Sequence, residues 1–435
     1  MPSTSTPRPS RSGSTWAIAR LSAAVEAPSI AKGETSMSAV AATQIPNLAS
    51  QDTFVGGVPH EAFDALRAMP GLYWQPVERG TLSGGFWAVT RAKDIAAIES
   101  DPATFTSNHG PYFPLPGKNP ENILWNDPPK HGELRRGVAK TFGPRVVANF
   151  DGWVRPIVTE ALDAYIAKGG GDFVPEVAAM IPSRVMARVI GVPRNEELRV
   201  VKWTFDIFAA MQVPDGGKTF WTVNNPIRDY MWELRAAKLR EPADDMATAL
   251  AQAHERGELS EGEYRSFTSV LLLAGFETTH TVMAQAMRMI AEDEAIAQMA
   301  NEAVAAGTTD ALIDEFLRYI TPAMNMVRVA TRDLEFAGTK IREGDVMQLY
   351  FVSANRDSEI FEEPHRFNPA RPKNNHMAFG GGCHACLGAP LAKLELRILF
   401  EEMHRRGIRV RPDGEPRRGR NTMINQLLSL PLAVA

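Results

Sequence analysis

The chain has 435 residues, enough to bury a large core, and its apolar (44%) and charged (23%) fractions are those of an ordinary globular protein. A net charge of −4, from 47 basic and 51 acidic residues, argues against a nucleic-acid binder, whose phosphate contacts need a basic surplus. The 2 cysteines exclude a disulfide scaffold, and no apolar run approaches the ~20 residues of a membrane span.

Residues 1–45 lack a secretory apolar segment and are rich in Ser, Thr, Ala and Pro, with Arg8, Arg11 and Arg20 ahead of the first acid, Glu26. Such a composition fits a transit peptide, but the expectation is a disordered tail, or an upstream start with Met37 as the true first residue. Residues 46–435 then form one domain. A helix is predicted over 59–68, a strand over 86–90 and a helix over 92–99. Residues 102–127 make a long loop rich in Pro, Gly and Asn, and loops of that length inside a domain are usually functional.

From 128 to 320 the apolar spacing is mostly helical, with helices expected over 131–149, 151–168, 174–190, 195–211, 220–238 and 243–256. The longest, over 260–293, is apolar nearly all round at its middle, so it is expected to be buried. Short strands are predicted over 326–331, 333–338 and 346–351. A Gly-rich loop at 380–382 precedes a helix over 387–405, and the chain ends in short β pieces. The fold class is therefore mainly α with small β-sheets.

The loop reads Phe379-Gly380-Gly381-Gly382-Cys383-His384-Ala385-Cys386-Leu387-Gly388. A thioredoxin-like redox pair would need a strand before it, which the helical stretch upstream does not supply. A zinc site would need further Cys or His ligands nearby. Covalent c-type haem attachment requires His after the second Cys, where Leu387 stands. A fourth reading uses one cysteine as a thiolate held against a flat macrocycle. Glycines would let the backbone approach it, N–H groups and the next helix's N-terminus would stabilise the sulfur, and Phe379 would cover it.

FGGGCHACLG resembles the haem loop of the cytochrome P450 family, Phe-x-x-Gly-x-x-x-Cys-x-Gly, at every fixed position. The resemblance implies a P450 fold, with haem b buried between the long central helix and the helix after the cysteine loop. It makes Cys386 the iron ligand, leaves Cys383 incidental, and puts Phe379 and Gly388 at the cofactor. On the long helix, Ala274-Gly275-Phe276-Glu277-Thr278 matches the family's segment over the distal haem face. Ala274 and Gly275 would make room for dioxygen, and Glu277 and Thr278 would relay protons for O–O cleavage. Without the resemblance, this segment is equally a packing notch with a back-bonded Thr. His131 and Arg135, at i and i+4, together with Arg328 and His384, are the expected partners of the haem propionates. Glu315 and Arg318 would lock to a downstream Arg, for which Arg366 is the candidate.

The resemblance covers residues 50–435 and implies a haem-thiolate monooxygenase that inserts one oxygen atom of O2 into a C–H bond. Electrons would come from a ferredoxin and its NAD(P)H-dependent reductase, since no fused flavin or iron–sulfur domain fits the length. Basic residues offered to that partner are Arg136, Lys140, Arg145, Arg371, Lys373 and Lys393. The substrate is expected to be mostly apolar, a terpenoid, steroid or similar molecule, with Phe205, Phe208, Met211, Met324, Met326, Met423 and Ile424 as pocket candidates. A cytoplasmic monomer, with neither nucleic acid nor membrane as partner, completes the expectation. The rivals are a peroxide-driven haem enzyme, which needs no proton relay, and a haem sensor.

Overall fold

The computed structural model describes residues 45–435 except 79–80, 140–141 and 211–217. The expected N-terminal tail, Lys140 and Met211 therefore lie outside the described residues.

The molecule is built around the helix Glu261–Glu292, buried on most of its circumference. Its start is fixed by a capping box in which Ser260 and Glu263 each satisfy the other's backbone N–H. Its end is fixed by Asp293, whose carboxylate accepts from Ala295 N at 2.9 Å and so starts the next helix, Glu294–Ala305. The helices Asp151–Ala167, Met180–Ile190, Lys218–Arg240 and Ala389–Arg405 belong to the main apolar core around it.

A smaller β-rich region carries its own apolar cores. Its sheet has five strands in the order Tyr73–Pro76, Gly85–Val89, Val346–Leu349, Met326–Ala330 and Phe105–Thr106. The second and third strands run parallel, with Phe86 opposite Val346, and Met326–Ala330 returns antiparallel with Arg328 opposite Met347. That register carries Arg328, though charged, into a buried position. A three-stranded sheet joins Gly170–Asp172, Pro431–Val434 and Val410–Pro412.

Several expected elements divide. The helix over 131–149 becomes Lys130–Ala139 and Pro144–Ala148, because Pro144 lacks the N–H that would continue the ladder and Gly143 takes the N-cap. The helix over 174–190 opens as a wide π turn, Val174–Ala178, before Met180–Ile190. The helix over 243–256 starts at Met246, where Asp245 caps Thr248 N at 2.9 Å. The strand over 346–351 stops at Leu349, and Phe351–Ala354 turn helical. The strand over 333–338 is one arm of a hairpin, Leu334–Phe336 against Thr339–Ile341.

Candidate active site

The cysteine loop closes on itself. Cys386 N donates to the Phe379 carbonyl at 2.9 Å, and Gly380 N to that of Met377 at 3.0 Å. Gly380 and Gly382 have φ of 62° and 59°, which glycine adopts without strain. The close neighbour of Gly380, Gly381 and Gly382 is Glu99, at the end of the helix Ala92–Glu99. A Cβ on Gly382 would overlap the Glu99 carbonyl, and one on Gly381 would lie 2.8 Å from its carboxylate. On the side a Cβ would occupy, these glycines admit Glu99. Gly388, by contrast, has open space where a Cβ would stand.

Cys386 is exposed, yet burial pushes its thiol up from the ordinary range. Both hold if the sulfur opens onto an interior cleft instead of bulk water. The N–H groups of Gly388 and Ala389 and the charge of Arg135 oppose that push. These are the groups that would hold a thiolate, at the N-terminus of the helix Ala389–Arg405. The Phe379 ring packs against His376, with centroids 5.7 Å apart. Cys383, three residues earlier, is half-buried and has its thiol raised as well.

Four of the predicted propionate partners gather beside this loop. The His131 and His384 rings lie tilted against each other with centroids 4.2 Å apart. Arg135 donates to the carbonyls of Cys383 at 3.3 Å and Ala385 at 2.6 Å. The buried Arg328 donates to the Val327 carbonyl at 2.8 Å. Neither guanidinium has an ion pair among the described residues. Burial, with Arg328, His131 and Arg135 nearby, lowers His384 to about 3, and burial and Arg135 lower His131. The cluster thus offers two guanidinium charges without an ion pair among the described residues, and two neutral imidazoles, which two carboxylates would satisfy. With an exposed cysteine thiol beside the cluster and open space at Gly388, the residues present fit haem. The chemistry such a group supplies when bound is activation of dioxygen by an iron with a thiolate behind it.

Sequence reasoning missed the groups that brace the cluster. Ser107 Oγ lies 3.2 Å from His384 Nε2. Asp127 holds Ser107 N at 2.9 Å and also bonds the Thr106 hydroxyl, pinning both ends of the long loop. Glu99 is buried with a raised pKa. Their signal was only position within the loop or helix end, which spacing alone does not mark.

On the long helix, Ala274 is exposed in an otherwise buried stretch and so faces open space. Gly275 does not: a Cβ there would overlap Met186 Sδ, so this glycine lets the helix Met180–Ile190 approach, which corrects its expected role. Glu277 is buried with Oε1 unpartnered, and burial pushes its carboxyl up to about 8. Thr278 Oγ1 donates to the Ala274 carbonyl at 3.0 Å, the back-bonding of a helical Thr.

The third member of the Glu-x-x-Arg lock is Arg371, not Arg366. The Arg371 Nε donates to Glu315 Oε1 at 3.2 Å, beside the fully buried Arg318–Glu315 pair at 2.8 Å. Arg366 contributes its carbonyl to Arg318 at 3.1 Å, while its exposed side chain pairs with Glu363 at 3.0 Å. Two basic candidates for a redox partner are likewise committed elsewhere, Arg371 to Glu315 and Lys393 to Asp314 at 2.5 Å. Arg136, Arg145 and Lys373 remain exposed.

Among the described residues, no helix is long and apolar enough to cross a membrane. A mainly helical fold with small sheets, and an exposed cysteine before a helix beside two arginines and two histidines, define a haem-thiolate oxygenase. The chain belongs to the cytochrome P450 family, whose model matches residues 218–406. It is 32% identical over 392 residues to the methyl-branched lipid omega-hydroxylase of Mycobacterium tuberculosis, covering 85% of this chain and 90% of that one. It is 29% identical over 408 residues to the steroid C26-monooxygenase of Rhodococcus jostii, covering 89% and 85%. The crystal structure of CYP108D1 from Novosphingobium aromaticivorans superposes with a TM-score of 0.80 at 30% identity, covering 90% and 99%. The protein is a haem-thiolate monooxygenase of bacterial type, and that activity implies haem, O2 and a redox partner.

Proposed function

We propose that this monooxygenase hydroxylates a mostly hydrocarbon lipid, steroid or terpenoid, with Cys386 as the ligand of haem b and electrons from a ferredoxin. The observation that carries the reading is the placement of Cys386, its thiol exposed beside the N-terminus of the helix Ala389–Arg405, where the N–H groups of Gly388 and Ala389 and the charge of Arg135 oppose the rise of its pKa. His131, Arg135, Arg328 and His384 bind the two propionates, which raises both histidines from their depressed values. Phe379 shields the sulfur on the protein side. Ala274 leaves the space above the cofactor open.

Glu277 keeps its proton at neutral pH, and Thr278 bonds back to Ala274, so its oxygen stays free to accept from water. Together they store a proton and orient its transfer toward the reacting oxygen, a relay that a peroxide-driven enzyme or a sensor does not need. The apolar substrate rests on Phe205 against Phe276, on Met326 and Met423 at half-buried positions, and on the lipid and steroid named for the two relatives.

The test is reconstitution. With NADH, a ferredoxin reductase and a ferredoxin, a branched lipid or steroid should be converted to an alcohol with O2-dependent NADH consumption. Product formed only with hydrogen peroxide, or none from any apolar ligand that binds, overturns the reading.

A further inference from the structure

The cysteine loop rests on a carboxylate to which the reaction assigns no task. Glu99 ends the helix Ala92–Glu99 and is only 5% exposed. Its side chain and its carbonyl both face the loop. A Cβ on Gly380 would stand 3.2 Å from Oε1, one on Gly381 would stand 2.8 Å from Oε2, and one on Gly382 would overlap the carbonyl oxygen. Packing alone does not ask for an acid here, since an apolar side chain of similar length would fill the space without burying a carboxyl.

Arg328 is the cation that faces this acid. It stands on the strand Met326–Ala330, on the face it shares with Met326 and Ala330, and both of these pack into the same apolar cluster as Ile95 and Ile98 of the Glu99 helix. Glu99 is the foremost charge favouring the ionised form of Arg328, ahead of Cys383 on the cysteine loop and Asp127 on the long loop. Burial pushes the Glu99 carboxyl up, against the Gly381 N–H and the charge of Arg328. Its Oε2 has no hydrogen-bond partner among the described residues. No charge of its own helix acts on it there, and His131 and His384 feel Arg328 in turn. Glu99 thus joins the cysteine loop to the arginine and histidine cluster.

A buried acid balanced between burial and one cation changes its proton count when a further charge is added nearby. Water screens such a charge poorly inside a protein, so the response is larger than at the surface. In this cluster the added charge is the electron that each turnover delivers. Two haem carboxylates on Arg328 and its neighbours would already have used up the positive charge that favours an ionised Glu99.

We propose that Glu99 is a positioning residue for electron entry, clamping the Gly380–Gly382 arm of the loop to Arg328 and taking up one proton when the haem-loaded enzyme gains one electron. The electron comes from the redox partner and the proton from water. The only bond made is an O–H bond on Glu99, and no bond in the protein breaks. The inference rests on the haem-site reading above and goes beyond it, because that reading gives Glu99 no part.

The test is the reduction potential of the haem-loaded enzyme, followed by absorption from about pH 5 to about pH 9, the span open to a raised carboxyl. In the wild type the potential should fall as the pH rises through the window in which Glu99 ionises. The reduction equilibrium should change about tenfold in all, which is about 59 mV for one electron. Glu99→Gln keeps the size of the side chain and an oxygen for the Gly381 N–H, and its potential should be level across that window. The reduced-minus-oxidised infrared spectrum of the wild type should gain a protonated-carboxyl band that Glu99→Gln lacks. A wild-type potential independent of pH overturns the proposal. So does a dependence that survives in Glu99→Gln, which would assign it to the haem carboxylates, His131 or His384. If Glu99→Gln fails to hold haem, Glu99→Asp decides: its shorter carboxylate should move the window to another pH, and an unmoved window overturns the proposal. The carbon monoxide spectrum of the reduced wild type keeps the two readings apart. Without the band of a thiolate complex the haem-site reading and this inference both fail, whereas that band with a level potential fails the inference alone.

Discussion

Glu277 is the residue whose chemistry departs furthest from its ordinary behaviour. Folding holds its carboxyl at about 8 instead of 4.5, so the folded protein binds this proton more tightly than the unfolded chain. The stabilisation is complete below the unfolded value and is lost as the pH rises toward 8. Glu277→Gln has no such loss. Its Tm should exceed the wild type's by several degrees near pH 8, and the gap should close near pH 5; a pH-independent gap contradicts the burial argument. Thr278→Ala should keep haem content and ligand binding while more of the consumed NADH appears as hydrogen peroxide and less as product. Coupling at the wild-type level would make Thr278 a packing residue. The acid and the alcohol stand out in the sequence because an apolar helix rarely tolerates them unpaired. The glycines were legible as necessary, but the neighbours they admit were not. Gly275 and Gly380 to Gly382 answer to Met186 and Glu99, neighbours brought in by the tertiary fold, and a glycine in a sequence does not say what approaches it.

At the scale of elements, the sheet and the cysteine loop are braced by a buried ion network. Glu315 receives Arg318 and Arg371, and Arg318 also donates to the carbonyls of Asn355 and Pro364 at 2.8 Å each. Removing one member leaves buried charge uncompensated. Arg371→Ala should therefore cost about 3–5 kcal/mol and lower haem retention, whereas Arg366→Ala should stay within about 0.5 kcal/mol. Denaturant unfolding of the two variants separates them, and the reverse ranking would restore Arg366. The pair on one helix was readable because i and i+3 share a face. The third partner comes from a loop whose path is set by carbonyls, and Arg366 and Arg371 both lie within reach of it in sequence. Helix positions were likewise readable from apolar period, while their ends followed Gly143-Pro144, Asp245 and Asp293, where a cap or a missing N–H decides.

The whole molecule repeats this division between what pattern encodes and what packing adds. A buried central helix, small sheets and a cysteine loop before a helix follow from periodicity and composition. The cluster of arginines and histidines does not, because His131, Arg135, Arg328 and His384 come from three separate stretches of chain and meet only in the fold. Among the described basic candidates for a redox partner, Arg136, Arg145 and Lys373 are exposed. Reduction by a ferredoxin should slow as ionic strength rises, and a salt-independent rate would remove electrostatics from that docking. Deleting residues 1–36 should change neither Tm nor haem content, and a fall in either would show that the segment contributes to the domain. The central claim, a thiolate from Cys386 behind haem iron, is tested most directly by the absorption spectrum of the reduced protein under carbon monoxide. The wild type and Cys383→Ser should both give the strongly red-shifted Soret band of a thiolate complex, and Cys386→Ser should lose it. A red-shifted band that survives in Cys386→Ser and disappears in Cys383→Ser would contradict the assignment.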